Sequence, residues 1–375
     1  MSARSDRGVA ARPPVGARIL RPAVIVAALY GVVVGALLAT HAWDPRFFAT
    51  LGPQWERHDP GLRKQADGII YFDFAADPIG AAARRSRLRT ARIFYPLVAR
   101  AVALGRVERV GWSLVLVNLV AIVLGTELVH RSLERRGMSP WIALGYGGWC
   151  GLGLALLHDT AEPLAYLCAL AGVAAQTRGR PVLAGAAFLG ALLTRETTFL
   201  FVAPFLLLGP KGRSGAGRWP VPVAVLAAWA VWLGVVAIFG TGSEGPWRAM
   251  WQVPLSGFRA TRLFDLPATV LFLLVPVLLM LGWAARELWR RPGEAAAWAV
   301  ALNGLLVLWL PPATAAILWH SARVATGFVA AAVVAAPSTS TRPHLWRLLG
   351  GLFALSSIWT AAVTLRYLFW DVAPW

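Results

Sequence analysis

The chain has 375 residues, of which 58% are hydrophobic and 14% are charged, and its formal net charge is +18. Soluble proteins average about 45–50% apolar and about 25% charged residues, so this composition excludes a soluble enzyme, a disordered tail and a secreted disulfide-rich domain. The apolar residues form blocks suited to helices, which predicts an all-α polytopic membrane protein. The basic residues lie in short clusters between the blocks, which argues for membrane lipids and against nucleic acid as partners.

Breaking the apolar blocks at charges, glycines and prolines predicts a bundle of about eleven transmembrane helices. In chain order they lie near 23–41, 110–130, 141–157, 163–177, 181–194, 197–208, 219–239, 266–285, 295–318, 324–336 and 345–366. The predicted organisation is a basic cytoplasmic N-terminus (1–22), a first transmembrane helix (23–41), a long extracytoplasmic loop (42–109) and a bundle of helices joined by short loops (110–375).

The short loops predict the orientation of this bundle. If the N-terminus is cytoplasmic, the inner loops carry thirteen basic residues and the short outer loops carry five. The positive-inside rule therefore favours a cytoplasmic N-terminus and an extracytoplasmic C-terminus. The composition, rich in Arg, Ala and Gly, suggests a bacterial protein, and hence the cytoplasmic (inner) membrane. Within the outer loop, residues 92–100 are predicted to form an amphipathic interfacial helix. The alternative, a short extra span there, would invert everything downstream.

Two predicted helices, 181–194 and 197–208, are too short for the bilayer, since about 14 residues reach only about 21 Å against a hydrocarbon core of about 30 Å. Their connection carries Arg195 and Glu196, which would therefore lie below the outer membrane surface. Charges at that depth face a protein interior or a water-filled cavity and are candidates for function. The alternative is a pair that only neutralises itself or reaches the headgroups.

The preceding predicted outer turn carries His158, Asp159 and Glu162. Two carboxylates and an imidazole in five residues could bind a divalent cation or hydrogen-bond sugar hydroxyls. The alternative is that Asp159 caps the next helix, whose start is marked by Pro163.

Arginines supply the candidate anion site. Arg323 and its neighbour His320 lie at the predicted outer end of the bundle, and the outer loop carries five more arginines between positions 84 and 92. The planar guanidinium fork matches phosphate oxygens, so these positions suit a lipid-linked phosphate. Nonspecific contact with anionic phospholipid is the alternative for the loop arginines.

Several motifs in the first 210 residues resemble those of bacterial cell-surface glycopolymer formation proteins, a group within the GT-C membrane glycosyltransferases. In the outer loop these are Ala66-Asp67-Gly68-Ile69-Ile70-Tyr71-Phe72, then Ala76-Asp77-Pro78, then Arg92-Ile93-Phe94-Tyr95-Pro96-Leu97. Later motifs are Asp159 with Glu162-Pro163, and Leu193-Thr194-Arg195-Glu196. The chain departs from the family at Ala66, where the family has tyrosine, and at Ile69, where it has a glutamine-like residue.

The resemblance implies a GT-C-like fold and an inverting transfer of a sugar from a polyprenyl-phosphate donor to a glycan or lipid acceptor at the outer face. It implies a carboxylate base in the first outer loop, with Asp67 the first choice, because Gly68 beside it would let a substrate approach, and Asp77 the second. Arg195 and Arg323 would hold the phosphate. The other expected substrate-binding residues are Tyr71, Arg92, His158, Asp159, Glu162, Glu196 and His320. A lipid phosphate is a good leaving group, so no metal or other cofactor is required, although a Mg²⁺ or Mn²⁺ ion would be compatible.

Two other functions stay open on the sequence alone. A transporter or flippase of lipid-linked or anionic substrates would also use intramembrane arginines and short helices. Against it, the chain has no convincing internal repeat and carries a long outer loop. The departures at Ala66 and Ile69 leave room for a non-catalytic partner in envelope glycopolymer assembly.

Overall fold

The computed structural model describes residues 21–50, 67–84, 87–209, 219–239, 253–336 and 343–369. Within those ranges every regular element is a helix and no strand occurs, which confirms the predicted all-helical class. The main α-helices are Pro22–Thr40, Asp67–Ala76, Phe94–Val102, Val110–Glu134, Cys150–Leu157, Glu162–Thr177, Pro181–Thr194, Phe199–Leu208, Pro220–Phe239, Val275–Arg290, Ala295–Leu308, Leu318–Val324, Thr326–Ala335, Pro343–Leu355 and Ser357–Phe369. Short helical turns between them include Arg46–Thr50, Pro78–Arg84, Arg87–Ala91, Leu144–Gly147, Leu266–Thr269 and Pro312–Ala315.

Five helical segments of the described chain are long and apolar enough to cross a membrane. They are Pro22–Thr40, Val107–Glu134, Pro220–Phe239, Leu266–Arg290 and His344–Leu365. The number rises to seven if each of two bent helix pairs forms one span. The chain thus has the architecture of a multi-pass helical membrane protein, and the predicted count of eleven stays a prediction.

The two bent helix pairs contact each other close to their bends. Pro140–Gly147 and Cys150–Leu157 meet at an angle of 42°, and Leu318–Val324 and Thr326–Ala335 meet at 46°. At the first bend the indole Nε1 of Trp149 donates a hydrogen bond of 3.0 Å to the carbonyl oxygen of Ala322. The second bend thereby holds Arg323 at the N-terminal side of Thr326–Ala335, whose ten residues are all buried.

One predicted helix is wrong in its extent. The sequence predicts a continuous helix at 295–318, but the helix ends at Leu308. Pro311 and Pro312 follow, and because proline has no backbone N–H and clashes with the preceding turn, the helix cannot continue through them. The chain instead forms two shorter pieces, Pro312–Ala315 and Leu318–Val324. The predicted helices at 181–194 and 197–208 are observed as Pro181–Thr194 and Phe199–Leu208, both short.

The segment between Pro22–Thr40 and Val110–Glu134, which we call the connector, is mostly helical where it is described. Its last α-helix, Phe94–Val102, matches the predicted amphipathic helix with a shift of two residues. Tyr95 and Ala99 are buried, and the Tyr95 hydroxyl donates to the carbonyl oxygen of Leu114 at 3.2 Å. Leu97 on the other face is exposed. This helix therefore anchors the connector to the membrane-spanning bundle.

Candidate functional site

Six charged side chains that are distant in sequence come together where the connector meets the bundle. We call them the charged cluster. The connector supplies two, the start of Glu162–Thr177 one, the turn before Phe199–Leu208 two, and the bend at Leu318–Val324 one. The members are Asp67, Arg92, Glu162, Arg195, Glu196 and Arg323. All six are among the residues that the sequence singled out.

Glu162 is the centre of the charged cluster. Its Oε1 accepts hydrogen bonds from Arg195 Nη1 at 2.6 Å and from Arg323 Nε at 2.8 Å. The Glu162 side chain is fully buried, and those of both arginines are less than a tenth exposed. Two guanidinium groups that would repel each other are thus held side by side by one buried carboxylate oxygen.

Asp67 lies at the more accessible edge of the cluster. Its Oδ2 accepts a hydrogen bond of 3.0 Å from Arg323 Nη2, and its Oδ1 lies 3.6 Å from Arg89 Nη2. Burial by itself would raise the pKa of the Asp67 carboxyl, but the positive charges of Arg323, Arg92 and Arg89 outweigh it and bring that pKa below its usual range. Asp67 is therefore an ionised carboxylate at neutral pH.

A second ion pair ties the connector to the short helices. Arg92 donates from Nε and Nη2 to the two carboxylate oxygens of Glu196, at 2.8 and 2.6 Å. This two-bond geometry is the one in which a guanidinium and a carboxylate bind most strongly. The remaining nitrogen, Nη1, lies 3.5 Å from the hydroxyl of Tyr71, whose ring packs edge-on against Tyr95. Tyr71 and Arg92 therefore line the same side of the cluster.

Gly68 brings the connector into contact with the turn that carries His158. A Cβ atom at position 68 would lie 2.5 Å from the carbonyl oxygen of His158 and 2.9 Å from that of Ala49. The space beside Gly68 is thus occupied by protein backbone. The expectation that this glycine admits a substrate is wrong, because its role is to let Asp67–Ala76 pack closely enough to place Asp67 in the cluster.

His158 and Asp159 occupy a buried turn next to the cluster. The His158 ring stacks on Trp319, with ring centroids 3.8 Å apart and an interplanar angle of 19°. Asp159 has a positive φ of 45°, which is unfavourable for a residue other than glycine. Its side chain is completely buried, and neither carboxylate oxygen has a hydrogen-bond partner in the described structure.

The alternative in which Asp159 caps the next helix is wrong. That helix begins at Glu162, its N-cap residue is Ala161, and no side chain caps it. The Asp159 carboxylate is instead completely buried, and neither of its oxygens bonds to the backbone N–H groups of that helix.

Two predicted site residues lie outside the hydrogen-bond network of the cluster. Asp77 follows the C-terminal end of Asp67–Ala76, about 15 Å from Asp67 along the helix axis by the standard rise, and is exposed. Its Oδ1 accepts a hydrogen bond of 3.0 Å from the backbone N–H of Gly80, which caps the next short helix. His320 shares the short helix of Arg323, but its Nδ1 lies 3.4 Å from the carbonyl oxygen of Ala313. Neither residue hydrogen-bonds to the cluster within the described ranges.

Thr197 and Trp319 belong to the site but were not among the predicted site residues. The Thr197 hydroxyl accepts a hydrogen bond of 3.1 Å from Arg195 Nε, and Trp319 covers His158. Their only sequence signal is proximity to Arg195 and Arg323. Arg89, noted as one of several loop arginines, contacts Asp67.

The turn with His158, Asp159 and Glu162 is the candidate site for a divalent cation. Among the residues that the structure describes, no three His, Cys, Asp or Glu side chains are arranged to hold a metal ion. The side chains of this turn instead have separate surroundings: Glu162 bridges two arginines, and His158 stacks on an indole.

The charged cluster is chemically suited to bind an anion. Together with Arg89 it holds four guanidinium groups and three carboxylates, an excess of one positive charge before Asp159 is counted. Arg195 Nη2 and Arg323 Nη1 donate no hydrogen bond to the described residues, so N–H groups remain for a ligand.

No protein-family profile matches the chain, and no curated protein or solved structure is significantly similar to it.

Proposed function

We propose that this chain is an integral membrane glycosyltransferase. It transfers a sugar from a polyprenyl-phosphate donor to a glycan or lipid acceptor of the cell envelope, with inversion at the sugar carbon. The reaction takes place at the extracytoplasmic face of a bacterial inner membrane, with the N-terminus in the cytoplasm and the C-terminus outside. The motifs of the connector and of the two short helices are the sequence basis for this proposal.

The observation that carries it is the convergence of Arg195 and Arg323 on one oxygen of Glu162, beside Asp67. These residues lie on elements up to 256 positions apart in the chain. Paired guanidinium groups bind phosphate strongly, and a carboxylate next to them can accept a proton. A base and a phosphate clamp in contact are the two groups that transfer from a sugar phosphate needs.

In the proposed reaction, Asp67 takes the proton of an acceptor hydroxyl while that oxygen attacks the anomeric carbon of the sugar. The bond between the anomeric carbon and the phosphate oxygen breaks, and its electron pair stays on the phosphate. Arg195 and Arg323 stabilise the negative charge that develops there. Because the departing group is a lipid phosphate, the proposal requires no metal or other cofactor.

The other predicted residues would hold the substrates. Arg92 and Tyr71 line the connector side of the cluster, and Glu196 fixes Arg92 through two hydrogen bonds. Glu162 aligns the two phosphate-binding arginines. His158, Asp159 and His320 surround the Arg323 side, where the stacked pair of His158 and Trp319 would form one wall. Asp77 remains the second candidate base and would require the connector to rearrange.

The test is transfer of radiolabelled sugar from a panel of polyprenyl-phosphate sugars by the purified protein in proteoliposomes. We expect Asp67→Asn to lower the rate by about 10²–10⁴-fold, the usual contribution of a general base. Arg195→Ala should lower it by about 10²-fold, because charge on the departing phosphate loses a donor. The control is Asp44→Asn, which removes a carboxylate paired with Arg46 near the end of the first helix.

The outcomes separate cleanly. If a folded Asp67→Asn protein transferred sugar at the wild-type rate, Asp67 would be excluded as the base and Asp77 would be the remaining candidate. If the folded wild-type protein transferred sugar from none of the donors, the glycosyltransferase proposal would be refuted.

Asp159 supports a second candidate function, a transporter or flippase of a lipid-linked or anionic substrate. A buried carboxylate without a hydrogen-bond partner, next to a cluster of arginines, is a typical feature of proton-coupled transport. A transporter would move a fluorescent lipid phosphate across proteoliposome membranes, and Asp159→Asn would stop that movement. A glycosyltransferase would show sugar transfer without such movement.

A further inference from the structure

Arg323 has two carboxylate partners with very different surroundings. Its Nε donates to Glu162, whose side chain is fully buried, whereas its Nη2 donates to Asp67, whose side chain is 25% exposed. An incoming ligand can therefore reach the edge of the guanidinium that faces Asp67, while the edge that faces Glu162 stays inside the protein. Only the Asp67 contact is open to exchange.

Asp67 also has a second positive partner. Arg89 Nη2 lies 3.6 Å from Asp67 Oδ1, and its side chain is about a third exposed. If Asp67 leaves Arg323, it can keep an ion pair with Arg89, so the exchange does not leave a lone charge. Arg323 in turn stays paired with Glu162. The contact between Asp67 and Arg323 can therefore break while the buried pair of Arg323 and Glu162 stays intact.

We propose that Asp67 and a substrate phosphate compete for the same edge of Arg323. The phosphate of the donor displaces Asp67 Oδ2 from Arg323 Nη2, and the released carboxylate, then held by Arg89 alone, becomes the proton acceptor. This inference rests on the proposed function and adds that donor binding activates the base. A carboxylate freed from one of two guanidinium groups is a stronger base, because a nearby positive charge no longer stabilises its ionised form.

The exchange predicts the sign of an affinity change. If Asp67 competes with phosphate, removing its charge strengthens phosphate binding. If Asp67 only positions Arg323 for the ligand, removing its charge weakens binding. We expect Asp67→Asn to bind a polyprenyl monophosphate about tenfold more tightly than the wild type, since one charge-assisted hydrogen bond no longer has to be broken.

The experiment is calorimetric titration at pH 8 of the full-length protein in a neutral detergent. The probes are farnesyl phosphate, inorganic phosphate and, as an uncharged comparison, farnesol. The proteins are the wild type, Asp67→Asn and Asp67→Ala, the last in case the amide forms new hydrogen bonds. Asp44→Asn is the control, because it removes the same charge from an exposed carboxylate whose ion-pair partner in the described part of the chain is its neighbour Arg46.

Tighter binding of farnesyl phosphate by both Asp67 variants, with no change for Asp44→Asn, is the expected result. Equal strengthening for inorganic phosphate would identify the phosphate group as sufficient, and strengthening for farnesyl phosphate alone would identify a lipid-linked phosphate. Unchanged or weaker binding by both variants would overturn the exchange and leave the phosphate site standing. Absence of phosphate binding by every protein would overturn both the exchange and the proposed function.

Discussion

Glu162 holds the candidate site together at the level of single residues. Two arginine side chains donate hydrogen bonds to its Oε1, and neither they nor Glu162 is more than a tenth exposed. Taking charges out of water is costly, and the cost is offset only while every charge keeps its partner. The stability of the site therefore depends on this one carboxylate more than on any exposed ion pair nearby.

We expect Glu162→Gln to destabilise the protein strongly. Removing one partner of a buried ion pair costs about 3–5 kcal/mol, and here both Arg195 and Arg323 lose their shared carboxylate. The measurement is thermal unfolding of the purified protein in detergent. Glu134→Gln is the matched control, because the Glu134 side chain is 66% exposed and the loss of an exposed pair costs about 0–1 kcal/mol. Equal melting temperatures for the two variants would contradict the central role of Glu162.

The recurring feature at the level of elements is that helix interruptions place the charged residues. Arg195 and Glu196 follow the end of Pro181–Thr194, and Glu162 begins its helix. Arg323 lies near the end of Leu318–Val324, three residues before the next helix begins at Thr326. Each interruption leaves backbone and side chains free to face inward.

Gly68 controls how closely Asp67–Ala76 approaches the bundle. We expect Gly68→Ala to cost about 1–3 kcal/mol, typical of inserting a methyl group into a tightly packed contact. The new Cβ would meet the carbonyl oxygens of His158 and Ala49. Gly31→Ala is the control: position 31 is exposed in the middle of Pro22–Thr40, with nothing within 4 Å of the added Cβ. There alanine should stabilise the helix by about 0.5–1 kcal/mol.

Thermal unfolding measures both substitutions, and hydrogen exchange reports whether Asp67–Ala76 loosens. The two variants should shift the melting temperature in opposite directions. If Gly68→Ala left both the melting temperature and the exchange of Asp67–Ala76 unchanged, the close contact with His158 would not exist in the membrane.

Orientation in the membrane is a property of the whole molecule. The charge distribution predicts that the connector faces outward and that the turn after Leu266–Arg290 faces the cytoplasm. Both places offer exposed positions for a reporter: Glu108 in the connector, and Gly293, where an added Cβ would meet nothing within 4 Å. The two native cysteines, Cys150 and Cys168, are free and are replaced by alanine in the test.

We expect Glu108→Cys to react with a membrane-impermeant maleimide in intact spheroplasts, and Gly293→Cys to react only in inverted membrane vesicles. The physical reason is the energetic preference for Arg and Lys on the cytoplasmic side of short loops. The opposite pattern would place the charged cluster at the cytoplasmic face and would contradict the proposed site of reaction. If both positions reacted from the same side, an even number of helices would cross the membrane between them, whereas the sequence predicts an odd number.

Local features of the sequence predicted most of the helices well. Apolar blocks that begin with proline, such as Pro22–Thr40 and Pro181–Thr194, were recognisable because proline is favoured in the first turn and lipid-facing helices are apolar throughout. The extent of 295–318 was mistaken although two prolines stand inside it. No charged residue interrupts this block, so its apolar length outweighed the two prolines, whose missing backbone N–H groups end the helix.

The amino-acid sequence is enough to predict a helical membrane protein and its candidate charged residues, because composition and the cost of charge in a membrane are local properties. Which of those charges are partners is visible only in the folded chain. Arg92 pairs with Glu196, although Arg195 is the sequence neighbour of Glu196, and Arg195 turns to Glu162 instead. Asp67 joins the cluster and Asp77 does not, since a helix of ten residues separates them. Such pairings depend on how distant elements pack, and spacing along the chain carries no information about that.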